Sequence, residues 1–96
     1  MSIEKIIREN KGTILDVRTS REFSGGSVAG SINIPLNEIP ERINELKSMK
    51  APLILCCASG SRSRQANRFL EQYGIECRDA GSWLNVNYFQ SQAQKV

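Results

Sequence analysis

The sequence predicts an α/β fold, a small and mainly parallel sheet of four or five short strands flanked by helices on both faces, and three observations carry that expectation. Strand-like apolar runs alternate with segments of helical spacing along the whole chain. Leu53-Ile54-Leu55-Cys56 is apolar without polar alternation, as a strand covered on both faces requires. It leads straight into a string of small residues and then a helical repeat, which is the strand, tight loop and helix of a parallel sheet. With 96 residues and 40% hydrophobic composition the chain supports one core and not two, so residues 1–96 are expected to form a single domain.

The elements follow in order. Ser2 can cap a short helix in which Ile3, Ile6 and Ile7 recur at helical spacing, and Lys11-Gly12 stops it. Thr13-Ile14-Leu15-Asp16-Val17 reads as a buried strand. Ser20 can cap one turn through Arg21-Glu22-Phe23 before Gly25-Gly26 breaks the chain. Ser31-Ile32-Asn33-Ile34 is a short strand closed by Pro35. Asn37 offers the next cap, Pro40 sits in a first helical turn, and Ile39, Ile43 and Leu46 stack on one face of a single amphipathic helix. After the strand at residues 53–56, a helix from about Arg62 turns Ala66, Phe69, Leu70 and Tyr73 inward and ends at Gly74. Ile75-Glu76-Cys77-Arg78-Asp79 is a last strand candidate, Gly81-Ser82-Trp83 turns away from it, and the Gln-rich tail 90–96 is expected to fray.

Composition removes whole classes of chemistry. The chain has no histidine, so Cys-His and Ser-His catalysis and most zinc patterns are out, and no metal or other cofactor is expected. Any nucleophile must be activated by backbone amides, a helix dipole or arginine. Three cysteines, two of them adjacent, make no disulfide framework. The first residues carry no secretory pattern and the longest apolar run is far too short to span a membrane, so a cytoplasmic location with no membrane partner is expected. The net charge of +3 is scattered and interrupted by acids, which argues against nucleic acid. Only Arg62, Arg64 and Arg68 gather in an acid-free stretch, a small positive mouth.

That mouth adjoins the most reactive place in the chain. Cys57 is the first residue past a buried strand, and Cys57-Ala58-Ser59-Gly60-Ser61 lets successive N–H groups converge on one sulfur, with Gly60 free to take positive φ. The start of a helix and a neighbouring arginine both favour thiolate, and Arg62 is the nearest fixed positive charge by sequence. Arg62 could also hold the anionic tail of a sulfur donor by paired hydrogen bonds. Cys56 lies inside the apolar run and Cys77 in the later strand, so both read as core.

At these residues the sequence resembles the rhodanese family. The active loop of that family reads Cys-x-x-Gly-x-Arg-Ser, and Cys57-Ala58-Ser59-Gly60-Ser61-Arg62-Ser63 matches every specified place. Asp16-Val17-Arg18 with Glu22-Phe23 is similar to a second family feature, and residues 26–35, from Gly26 to Pro35, to a third. The resemblance implies a sheet of about five parallel strands. It also implies a sulfurtransferase cycle in which Cys57 takes sulfane sulfur from a donor such as thiosulfate, carries it as a persulfide and passes it to cyanide, a thiol or a protein acceptor. Asp16, Arg18 and Glu22 are read as one structural network tying the first strand to the turn after it. Ser27 stands where the family usually has histidine, which alters either the neighbourhood of the site or only a packing contact without abolishing the chemistry, and Gly81-Ser82 replaces a Gly-Gly pair, altering the late loop.

Two other readings share these residues. Counted from Cys56, the loop is Cys-x5-Arg, the spacing with which a phosphatase encircles phosphate, so Cys56 with Arg62 is the rival nucleophile and clamp. Gly60 falls three residues after Cys57, where the sulfurtransferase pattern wants it, and four after Cys56. The third reading is a module without turnover that binds an anion or a protein through the same cradle.

Overall fold

The computed structural model describes residues 1–92. Ser2 Oγ accepts from the Lys5 amide at 3.2 Å and opens helix α1, Ile3–Arg8, which buries Ile6 and Ile7. Strand β1 (Thr13–Asp16) leads to the one-turn helix α2 (Ser20–Ser24) and strand β2 (Ile32–Asn33). A 3₁₀ segment, Leu36–Arg42, runs into helix α3 (Ile43–Lys47). Strand β3 (Leu53–Cys57), helix α4 (Ser61–Glu71), strand β4 (Cys77–Ser82) and helix α5 (Trp83–Gln92) complete the order.

All pairings are parallel and the sheet runs β2-β1-β3-β4. The chain leaves β1 for β2 on one side and β3 lies on the other, so the carboxyl ends of β1 and β3 flank the switch in strand order, where open α/β sheets place their sites. Every residue of β3 is buried, which explains its lack of alternation. Leu53, Leu55 and Cys57 face one core with Leu15, Val17, Ile34, Ile39, Leu46, Ala66 and Leu70. Ile54 and Cys56 face the other, with Ile6, Ile7, Val28 and Val86. Helices therefore cover both faces, α4 and α3 on the first and α1 and α5 on the second.

Four expectations change in detail. The sheet has four strands among the described residues, one fewer than the resemblance implied, because every other apolar segment has helical spacing. The single helix expected after Asn37 is 3₁₀ up to Arg42 and α only from Ile43: Pro40 has no N–H for the α pattern, and Asn37 makes no cap. Strand β4 begins at Cys77 and runs through Gly81, with a bulge at Ala80 where Leu55 pairs with Asp79 but Cys56 with Gly81. Of the tail expected to fray, residues 90–92 close α5, and residues 93–96 lie outside the described residues. Among the described residues no helix is long and apolar enough to cross a membrane.

Candidate functional site

The site is built where β3 stops and α4 begins. Leaving the fully buried Cys57, the chain passes through the exposed Ala58 and Ser59 and turns at Gly60, with φ 108° and ψ −13°. No side chain is comfortable at that φ, and a Cβ there would also sit 3.6 Å from the Gly81 Cα. The turn aims the Gly60 N–H at the Cys57 sulfur (3.0 Å), and the first turn of α4 adds the Ser63 N–H (3.4 Å). The Ser63 hydroxyl lies 3.5 Å from the same sulfur. The small-residue loop thus forms the expected nest around Cys57. Ser61 opens α4 on its exposed side, and Arg64 and Arg68 are exposed farther along it.

These contacts decide the ionisation of the three thiols. Burial pushes the Cys57 thiol up, yet the hydrogen bonds from the Ser63 hydroxyl and from the amides of Ser63, Gly60 and Ser59 together outweigh it and hold the thiol below its ordinary value. Cys56, one residue earlier, points to the opposite face. Burial, helped by the charge of Asp16, pushes it up to about 12. Burial likewise takes Cys77 to about 11. Of the three thiols, Cys57 alone is held below its ordinary value.

Arg62 has a carboxylate partner that the loop motif does not include. Its guanidinium is clamped by both carboxylate oxygens of Glu22, at 2.7 and 3.0 Å, which offsets part of its charge while leaving it to act on Cys57 through the rest, and the donors that reach the sulfur directly are amides and a hydroxyl. Glu22 is correspondingly held down to about 2, chiefly by Arg62 and next by the Thr19 amide. Thr19 and Glu22 form a reciprocal capping box on α2, which fixes the carboxylate in front of α4. A cleft of about 230 Å³ lined by Val17, Thr19, Pro35, Leu36, Asn37 and Arg62 opens beside this pair. Two other clefts, one around Gly12 and Gln90 and one around Leu46 and Gly74, include no residue of the loop.

The network read from Asp16, Arg18 and Glu22 separates into two. Asp16 accepts from the Arg18 amide (3.0 Å) and from its guanidinium (2.8 to 3.0 Å), with both residues buried. The guanidinium also donates to the Gly26 carbonyl at 2.7 Å and lies 4.6 Å from the centre of the Trp83 ring. Asn33 ties the same turn down through the carbonyls of Asp16 and Arg18. Glu22 makes no hydrogen bond in this network and acts on Arg18 only through its charge; its hydrogen bonds go to Arg62 and Thr19. Ser27 is half-buried in this neighbourhood, and Ser82 accepts from the Leu84 amide at the start of α5.

The phosphate-loop alternative fails on register. The loop amides converge on Cys57, and Cys56 sits in the opposite core among Ile6, Ile54 and Val86. Sequence reasoning missed Asp79, whose Oδ1 accepts from the Ser63 hydroxyl at 2.7 Å and the Gly81 amide at 3.0 Å. The bulge at Ala80 is the reason, since it carries β4 past the point where the chain was expected to turn away. The charged residues beside it in Ile75-Glu76-Cys77-Arg78-Asp79 gave no signal that singled it out. Among the described residues no His, Cys, Asp or Glu side chains gather as a metal site.

The chain matches the family described as Rhodanese-like domain over residues 2–85. It is 39% identical over 64 residues to the uncharacterized protein YqhL of Bacillus subtilis, covering 67% of this chain and 50% of that one. It is 33% identical over 73 residues to the putative sulfur carrier protein YrkF of the same organism, covering 76% and 39%. Among solved structures, a rhodanese with anions from E. coli superposes with a TM-score of 0.68 at 31% identity, over 76% of this chain and 88% of that one. The chain spans about half the length of the curated relatives it matches.

Proposed function

Since the chain belongs to the rhodanese-like domain family, we propose that it is a sulfurtransferase that carries sulfane sulfur on Cys57. The observation that supports this most is the convergence of the Gly60 and Ser63 amides and the Ser63 hydroxyl on one sulfur, the environment a thiolate or persulfide anion needs. In the first half-reaction the Cys57 thiolate attacks the outer sulfur of a donor such as thiosulfate. The donor's S–S bond breaks, sulfite leaves with the bonding pair, and the new S–S bond leaves Cys57 as a persulfide anion. In the second, cyanide, a small thiol or a protein thiol attacks the outer sulfur, and the Cys57 thiolate departs as leaving group.

Arg62 faces the cleft beside the loop and offers its outer edge to an anionic donor. Ala58, Ser59 and Ser61 act through their backbone and small size. A reducing cytoplasm would keep all three cysteines as thiols between turnovers. Intact-protein mass spectrometry after exposure to thiosulfate, with and without reductant, tests the proposal. The expected result is a reductant-labile gain of one sulfur, retained in Cys56→Ser and Cys77→Ser and lost in Cys57→Ser. Loading that survives Cys57→Ser refutes the assignment. No loading with any sulfane donor would leave the anion-binding or protein-binding module in its place.

A further inference from the structure

Ser63 is a fully buried hydroxyl with a single proton and three acceptors around it. The Asp79 carboxylate is at 2.7 Å, the Gly60 carbonyl at 3.1 Å and the Cys57 sulfur at 3.5 Å. The first bond is the shortest and is charge-assisted, a kind roughly twice as strong as a neutral one. While Cys57 is a thiol, therefore, Ser63 donates its hydroxyl proton to the Asp79 carboxylate, and the lone pairs of Ser63 face the sulfur and accept its S–H. When the thiol loses its proton, the sulfur becomes a second anion competing for the same hydroxyl.

We propose that Asp79 is a positioning residue that governs the ionisation of Cys57 through Ser63, its carboxylate competing with the sulfur anion for the one hydroxyl proton. Asp79 is aimed by its own strand. It lies on the same face of β4 as Cys77, which packs into the Cys57 core, and the bulge at Ala80 brings the Gly81 amide back onto its Oδ1. Among the described residues, this carboxylate is the acidic group that reaches the reactive sulfur through a single intervening side chain. Its effect runs against the amides. Because the Asp79 carboxylate shares the hydroxyl proton with the sulfur anion, Ser63 favours the thiolate less than a hydroxyl without that competitor would, so fewer thiolates form, and those that form are less masked and better nucleophiles.

The other charged groups around Cys57 come from three places, helix α4, helix α2 and the end of β1. Arg62 on α4 is held by Glu22 of α2, and Asp16 and Arg18 at the end of β1 act on the adjacent Cys56 of β3. Asp79→Asn leaves all of these in place and keeps an acceptor for the Gly81 amide. The proposal rests on Cys57 as the reactive sulfur, and iodoacetamide alkylation followed by peptide mapping reads its ionisation without any sulfur donor. Failure here is thus distinct from failure of sulfur transfer.

The expected result is that Asp79→Asn moves the Cys57 alkylation profile to lower pH, with about a two- to tenfold faster rate below the midpoint. In a Ser63→Ala background the same exchange should change the rate by less than half as much on a logarithmic scale, the mark of coupling through the hydroxyl. An unchanged profile in Asp79→Asn overturns the proposal, and so does an equal shift in both backgrounds, which would make Asp79 a bare charge. Circular dichroism checks that the variants fold. If they do not, the unaltered chain decides: its Asp79 carboxyl ¹³C shift should show an inflection where Cys57 ionises, and a flat signal across that pH range overturns the proposal.

Discussion

Gly60→Ala isolates the amide that lies closest to the sulfur. At φ 108° and ψ −13° the residue lies beyond even the left-handed region that a side chain tolerates at about 1–2 kcal/mol. The added methyl itself meets only an ordinary contact, 3.6 Å to the Gly81 Cα, so the conflict is in the backbone and not in packing. The loop relieves it by rotating toward negative φ, and that rotation turns the Gly60 N–H away from the sulfur it now reaches at 3.0 Å. A hydrogen bond to a charged acceptor contributes about 1.5–3 kcal/mol. Losing it from the thiolate lowers the thiolate fraction below the midpoint by about ten- to a hundredfold. The alkylation profile of Cys57 should therefore move to higher pH, and sulfur loading from thiosulfate at neutral pH should slow by a similar factor. An alkylation profile identical to the parent's, together with a lowered Tm, would show that the loop bears the strain in place and that this amide does not set the thiol's acidity.

Arg62→Ala should raise the KM for thiosulfate about tenfold or more by removing the paired contacts to an anion. The Cys57 alkylation profile should move less than in Gly60→Ala, because Glu22 offsets part of that charge and amides make the direct contacts to the sulfur; a larger shift would make Arg62 the main activating group. Arg18→Ala leaves the fully buried Asp16 without its guanidinium and should cost about 3–5 kcal/mol in urea unfolding, a large part of the stability of a domain this size. The Glu22–Arg62 pair has a definite pH signature. Folded Glu22 resists protonation down to about 2 against an ordinary value of 4.5, so the unfolded chain takes up the proton first. The pair's contribution is complete above 4.5 and is lost as the pH falls through about 2. Urea unfolding between pH 5 and 2 should show a shallower loss of stability in Glu22→Gln than in the parent, and parallel curves would refute the assignment.

The parts of the fold legible in the sequence are those with one dominant local cause. The run at residues 53–56 reads as a strand covered on both faces, which the structure extends by one residue to Cys57, and the spacing of Ile3, Ile6 and Ile7 after Ser2 reads as a capped helix. Helix α5 was not legible. Its inward residues Trp83, Val86 and Phe89 recur every third place, but the Asn and Gln residues between them also suit an irregular tail. What makes it a helix is α1 waiting on the same face of the sheet, a long-range partner that no local window contains. The Pro40 segment failed for the opposite reason, since a local rule, the missing N–H, overrode a good amphipathic pattern.

The site divides along the same line. Cys57, Gly60, Arg62 and Ser63 were legible because the cradle is made by consecutive residues, and a motif is a local object. Which group neutralises Arg62, and which group holds Ser63, depend on α2 and on a one-residue bulge in β4. Between Cys56 and Cys57 a single step along β3 exchanges one face of the sheet for the other. One thiol is pushed up to about 12 by burial, and its neighbour is held below its ordinary value by the loop. Register therefore decides reactivity here, and an insertion of one residue between Ser59 and Gly60 tests it directly. Such a variant should keep its strand and its buried Cys56, judged by circular dichroism and by the slow alkylation of that thiol. It should lose the Gly60 and Ser63 contacts to Cys57, and with them at least about tenfold of the sulfur-loading rate, one charged hydrogen bond alone accounting for that much. Loading at the parent rate would mean that the cradle's register is not what activates the sulfur.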